Sequence, residues 1–504
     1  MDETQDMKLR SLRDLEILPR SLVTADGIEF GFARTKTGDR LVVLAPSGSH
    51  LEAFEGDASS YKGWTLLLGS TSAVNLDALR DLLPWLHPRT LGLRTSAGMG
   101  DRLGLATPGH VRAVRAAGGD LAPIFAQQSI REMERTGRGP RQVMDDATWG
   151  VFAEGWRGGF GADADHLKTF ADVDACAAAG YTFYTVDPGE YVDDTAEVAN
   201  LYALRAAMDR LPWDEMEDSA EDVKRRYLGG PFSIEGYEIR FDEATLSRAS
   251  VKYGRAVLHV ANMYRHLIDA KGGGEWELEI SVDETGSPMT HAQHLYVAGE
   301  LRRLGVRWVS LAPRYVGRFE KGVDYIGDVA GFEADFAVHA AIARRFGPYK
   351  LSLHSGSDKF AIYPAAVRQT RGLVHLKTAG TSYVEALRTV AALDPELFRS
   401  IYAFARERYE EDRASYHVSA NLDGAPLAWN VDDLELPGLL EQFDAREILH
   451  VTFGSVLRDR RFRSRLYELL RDHPDAYAAN LEAHFLRHLE PFAKRPRVPI
   501  GGSG

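Results

Sequence analysis

Asp165-His166, with Lys168 and Thr169 just behind, sets a carboxylate, an imidazole and a cation within a few residues of one another. Similar mixtures recur at Asp187, along Glu277-Leu-Glu279-Ile-Ser281-Val-Asp283, through His354-Ser355-Gly-Ser357-Asp358-Lys359, and at His375-Leu-Lys377-Thr378. Imidazole and carboxylate groups together suit zinc, manganese, nickel or cobalt, with coordination positions left open for substrate oxygens. His166 and His354, with carboxylates nearby, are therefore the candidate ligands of a divalent metal. Lys359 and Lys377 offer cations for an anionic substrate, and Lys377 could also serve as a Schiff-base lysine. Gly380 and Thr381 then enter a helix start, whose free N–H groups favour a carboxylate or phosphate. His291, His294 and His339 are weaker ligand candidates. His294 and His339 sit in helix-like runs, Gln293-His-Leu-Tyr-Val297 and Ala337-Val-His-Ala-Ala341, where packing is their expected role.

A repeating element pattern must position these groups. From about residue 90 a short apolar strand, a polar loop and an amphipathic helix follow one another, with strands expected at 91–95, 121–125, 160–165, 181–186, 276–282, 306–311, 349–354 and 372–377. Eight strands alternating with helices predict an α/β fold, a (β/α)8 barrel, in which functional side chains gather at the C-terminal strand ends. Along 277–283 the odd positions are polar and the even ones apolar, so Glu277, Glu279, Ser281 and Asp283 point into the barrel. Several carboxylates inside a barrel need a metal, a bound cation or a proton to balance them; the alternative is a polar layer satisfied by Arg or Lys. The expected division is a small N-terminal α+β module (1–88), the catalytic barrel (89–392) with an insertion at about 190–255, and a helical C-terminal extension (393–500). The acidic run 214–222 reads as a solvated part of that insertion, able to fold over the barrel mouth.

Composition narrows the function classes. A formal charge of −13 and pI near 5.7 argue against nucleic acid or an acidic membrane surface as partner. Cys176 is the sole cysteine, which excludes an internal disulfide, and its small-residue surroundings predict inert packing. No apolar run approaches the ~20 residues of a membrane span, and the opening Met1-Asp-Glu-Thr-Gln-Asp lacks the basic start of a signal peptide. A cytoplasmic location is expected, and 501–504 reads as an appended linker. Gly98-Met-Gly100-Asp-Arg-Leu-Gly104 does not have the dinucleotide-binding spacing, so a nicotinamide cofactor is not expected.

Several segments are long enough to carry a resemblance. Gly100-Asp-Arg-Leu-Gly104, Pro123-Ile-Phe-Ala-Gln127-Gln128-Ser129-Ile-Arg131, Gly159-Phe-Gly-Ala-Asp-Ala-Asp165-His166 and Glu279-Ile-Ser-Val-Asp-Glu-Thr285 are similar to motifs of the tagaturonate–fructuronate epimerase family. So are Leu353-His-Ser-Gly-Ser-Asp-Lys-Phe360, Lys377-Thr-Ala-Gly-Thr-Ser-Tyr383, Tyr416-His-Val-Ser419 and His450-Val-Thr-Phe-Gly-Ser455. The resemblance implies metal-dependent interconversion of D-tagaturonate and D-fructuronate, with tagatose and fructose as related substrates. It further implies Asp165 as proton acceptor, Glu279 as proton donor, and His166 and His354 as metal ligands, with the third ligand left open. The expected substrate-contacting side chains are Gln128, Lys168, Asp187, Ser355, Asp358, Lys359 and Lys377. Arg102 and Arg131, with Lys359 and Lys377, favour a carboxylate-bearing substrate. The expected partner is a small sugar acid or ketose, with a homo-oligomer also compatible. Asp165-His166 and the His354 loop also resemble class II aldolases, which gives one rival reading; a non-catalytic sugar-acid binding protein is another.

Overall fold

The computed structural model describes residues 7–12, 14–36 and 38–493. The opening segment 1–6 and the expected linker 501–504 lie outside the described residues. Eight parallel strands close into a barrel: β1 (Ser96–Met99), β2 (Ala122–Ser129), β3 (Gly161–Leu167), β4 (Phe183–Val186), β5 (Glu277–Val282), β6 (Ser310–Pro313), β7 (Lys350–Leu353) and β8 (Val374–Thr378). Each strand pairs with its sequence neighbours, and β8 pairs with β1 to complete the ring.

The first strand begins later than the 91–95 expected. Gly92 takes a left-handed φ of +62°, which turns the chain before any extended run can form. The amides of Leu91 and Gly92 instead donate to the Glu277 carboxylate at the barrel floor. β1 itself is built from small residues, and a Cβ at Gly98 would strike the Gln127 side chain on β2.

Before the barrel, strands at Ile28–Arg34, Arg40–Ala45 and Trp64–Ser70 form the centre of an antiparallel sheet. Phe32 of this sheet packs against Trp149 and Phe152, both on the outer helix Pro140–Ala153. Within the barrel, helices α1 (Thr107–Ala117), α2 (Glu243–Lys271), α3 (His291–Arg303), α4 (Val329–Phe346) and α5 (Thr381–Leu393) follow β1 or precede or follow the later strands. Helix α6 (Pro474–Ala493) lies across α1, where Gly109 leaves room for Leu481.

The acidic run in the insertion does not cover the mouth. Asp218 is clasped by Arg226 and by Arg303, the last residue of α3, on the barrel's flank. Two arginines there satisfy a charge that the mouth does not. The insertion's first turns approach the mouth instead, where Asp194 accepts from the Gly286 amide (2.6 Å) and Lys252 pairs with Asp194 and Glu197. Cys176 is buried, and burial pushes its thiol up to about 12, so it is an inert packing residue. Among the described residues no helix is long and apolar enough to cross a membrane.

Candidate active site

Barrel interiors are usually filled by branched aliphatic side chains; this one is filled by charges in layers. At the floor Glu277 faces buried Lys350, whose ammonium burial pushes down to about 8. One layer up, Lys377 Nζ lies 2.9 Å from Asp163 Oδ2, 2.7 Å from Asp165 Oδ1 and 2.7 Å from Glu279 Oε1. It also donates to Thr185 Oγ1 at 2.6 Å. Burial disfavours the charge, but the three carboxylates outweigh it and hold Lys377 protonated. A Schiff-base lysine needs the opposite shift.

At the mouth, Asp165, His166 and His354 bring their ligand atoms within 4.8 Å of one another. The two imidazole rings stand edge to face, 5.2 Å apart. His166 Nδ1 is held by Asp187 Oδ2 at 3.1 Å, which leaves Nε2 on the side of Asp165. His354 Nε2 reaches Glu279 Oε1 at 2.7 Å, and its Nδ1 lies 3.2 Å from Asp283 Oδ1 and from Ser281 Oγ.

The backbone makes this convergence. Asp163 and Asp165 alternate inward on β3, so the pleat alone would send His166 outward. His166 instead has φ +54°, a sparsely populated region for a residue with a side chain, and the β3–β4 register shifts beside it. Ser355 has φ +48° just after His354. Such strain concentrates where a site must be aimed.

The electrostatics describe a site short of positive charge. Burial works against charging either ring, yet Asp165, Asp187 and Asp283 raise His166 to about 10. Asp283 chiefly raises His354 to about 9. Burial would raise Asp165, but Lys377 and then the two imidazoles lower it to about 2. Glu279 is likewise buried and is held well below the usual carboxylate range by Lys377 and His354. For Asp163 burial wins over Lys377, and its carboxyl rises to about 6. The Oε2 atom of Glu279 is buried without a hydrogen-bond partner. A divalent cation compensates this kind of carboxylate excess, and the Asp187–His166 contact is of the kind that orients a metal-binding imidazole. The donor set therefore fits a divalent metal.

Other expected residues fall in different places. Ser355 lines the cleft and accepts from Lys321 Nζ at 2.6 Å. Asp187 stands behind His166 rather than in the open cleft. Gln128 turns away to Arg138 and Thr136, and its neighbour Gln127 faces the cleft with an unpartnered amide. One residue of strand register decides between them. Lys168 is on the surface, paired with Glu190 at 3.0 Å. Asp358 is buried against Arg446 and His484, and Lys359 donates to the carbonyls of Glu320, Val323 and Ser357. Lys359 ties the 320–323 and 355–359 loops together, Asp358 ties its loop to the C-terminal helices, and neither lines the cleft.

Residues that sequence reasoning did not nominate complete the site. Asp163 shares the inward face of Asp165, a period-2 signal that could have found it, and Asp283, whose inward direction the spacing predicts, had been given no role. Lys321, in the loop after β6, carries no local signal, and His450, from the C-terminal helices, stood out only as the start of a family-like motif with no role attached. The His450 ring rests against Gly322 and Gly380, where any Cβ would collide with it. Burial, then Arg102 and Lys321, hold it neutral.

With this geometry the comparisons with known proteins agree. A family model described as UxaE: tagaturonate epimerase matches residues 19–492. A tagaturonate/fructuronate epimerase from Thermotoga maritima is 44% identical over 481 residues, which cover 95% of this chain and 97% of its own. The native structure of fructuronate-tagaturonate epimerase UxaE from Cohnella laeviribosi superposes with a TM-score of 0.90 at 38% identity, covering 96% of this chain and 97% of that one. A one-glycerol complex of the same enzyme gives a TM-score of 0.90 at 37% identity, with 96% and 98% covered. The chain belongs to the tagaturonate epimerase family and is an isomerase-class enzyme.

Proposed function

We propose that the protein interconverts D-tagaturonate and D-fructuronate in this cleft, with a divalent metal held by His166 and His354. The observation that carries the reading is the convergence of Asp165, His166 and His354 at the strand ends, over Glu279 and Lys377. A bound divalent ion would supply Lewis-acid stabilisation of negative charge developing on substrate oxygens.

The two 5-keto acids differ at C3, which is β to the ketone, so enolisation alone does not invert it. Opening the C3–C4 bond does, once a base removes the C3 hydroxyl proton; the resulting aldehyde turns and is attacked on its other face. Asp165 suits the base, because Lys377 and the imidazoles keep it ionised despite burial. Glu279 suits the partner that returns a proton to the re-formed hydroxyl. Lys377 Nζ, 2.7 Å from both carboxylates, offers the path by which a proton taken by one reaches the other. Lys321 forms no ion pair among the described residues and donates only to neutral Ser355. Its charge is available to the substrate carboxylate.

Product analysis after incubation with D-fructuronate, and separately with D-fructose, tests the reading before and after EDTA and metal re-addition. Tagaturonate or tagatose appearing only with metal is the expected result. Three-carbon fragments would transfer the case to an aldolase, and chelator-resistant turnover would remove the metal from it.

A further inference from the structure

A second group of metal-ligating side chains lies outside the barrel, where α3 meets α4. His291 is the first residue of α3, and Asp335 and His339 stand one turn apart on α4, so both face it. Their ligand atoms lie within 4.8 Å of one another. His291 Nε2 is 2.9 Å from Asp335 Oδ1, and His339 Nε2 is 3.5 Å from Asp335 Oδ2. Tetrahedral zinc with bonds of ~2.0–2.1 Å separates neighbouring ligand atoms by about 3.3–3.4 Å, and each spacing, one to either oxygen of Asp335, lies within about 0.5 Å of that value.

Two further observations point to a ligand. Apart from facing each other at 3.5 Å, His339 Nε2 and Asp335 Oδ2 are both buried and without a hydrogen-bond partner, which is costly unless something else satisfies them. The other nitrogen of His339 is already fixed: Nδ1 meets His294 Nδ1 at 2.8 Å, and His294 Nε2 meets Tyr349 Oη at 2.8 Å. That relay sets the ring so that Nε2 alone is turned to Asp335, as outer partners do for metal-binding histidines. Among the described residues Asp335 has no lysine or arginine partner. The side chains of His291 and Asp335 are 33% and 20% exposed, which leaves an entry path.

A comparable buried trio, Asp358, His484 and His488, shows the contrast. There Arg446 occupies Asp358 Oδ2 at 3.0 Å, His484 occupies Oδ1 at 2.8 Å, and His488 Nε2 accepts from the Asp358 amide at 2.8 Å. That trio is complete without a metal.

We propose that His291, Asp335 and His339 form a peripheral zinc site, with water in the remaining position, that fastens the start of α3 to α4. The fastening braces the loop between β5 and α3, which carries Asp283 into the active site. Calorimetric titration of chelator-treated protein with Zn²⁺ tests this, comparing wild type with His291→Gln and Asp335→Asn. Both substitutions are at partly exposed positions away from the cleft. The expected result is a stoichiometry lower by one zinc per chain in each variant, with epimerase turnover of the metal-reconstituted variants within about twofold of wild type. Equal zinc stoichiometry in wild type and either folded variant, judged by unchanged far-ultraviolet dichroism, overturns the site. The difference is counted against whatever the cleft itself binds, so it does not depend on the active-site metal.

Discussion

If Asp165, Asp187 and Asp283 hold both cleft imidazoles cationic, a metal must displace their protons to bind. His166 and His354 sit at about 10 and about 9, so at pH 7 to 8 both carry a proton in the metal-free protein. Two protons released per metal make the apparent affinity rise about a hundredfold per pH unit in that range. Two imidazoles at the ordinary ~6.5 would together release less than about a tenth of a proton at pH 8. Calorimetry at pH 8 in two buffers of different ionisation enthalpy reads the proton count directly. It is best done in the His291→Gln protein, which leaves the peripheral cluster incomplete. The expected count is close to two, falling to about one in His166→Ala. A count near zero would refute the electrostatic description of the cleft. The same shifts govern the stability of the metal-free protein. Both folded-state values lie above the unfolded one, so protonation stabilises the fold fully below ~6.5 and that contribution fades as pH rises through about 9 to 10. Thermal melts of chelated protein should show Tm falling across that window.

Other perturbations separate the roles assigned in the cleft. Asp165→Asn should remove most turnover with metal content retained; full activity would discard Asp165 as the base, and loss of the metal would make it a ligand instead. Lys321→Met should lower kcat/KM for D-fructuronate about tenfold to a hundredfold, the scale of one lost hydrogen bond to a charged group, and leave D-fructose turnover nearly unchanged. An equal loss on both substrates would remove Lys321 from carboxylate recognition.

The barrel and much of its polar lining were legible in the chain because strand alternation is local. Glu277, Glu279, Ser281 and Asp283 announce an inward polar face by spacing alone, and Asp165, His166 and His354 stand at strand ends whatever the register around them. Three features needed the tertiary structure. His166 reaches the mouth only through a left-handed backbone and a register shift, which the pleat rule does not contain. Gln127 rather than Gln128 faces the cleft because one residue of register sets the inward side. Asp358 and Lys359, which read as substrate contacts beside His354, are claimed by Arg446, His484 and three loop carbonyls that no local pattern connects to them. Residue type and period determine which groups are available and which face they take. Which charge neutralises which is decided by partners brought from distant parts of the chain, because a buried carboxylate or ammonium is stable only with its counter-charge in place.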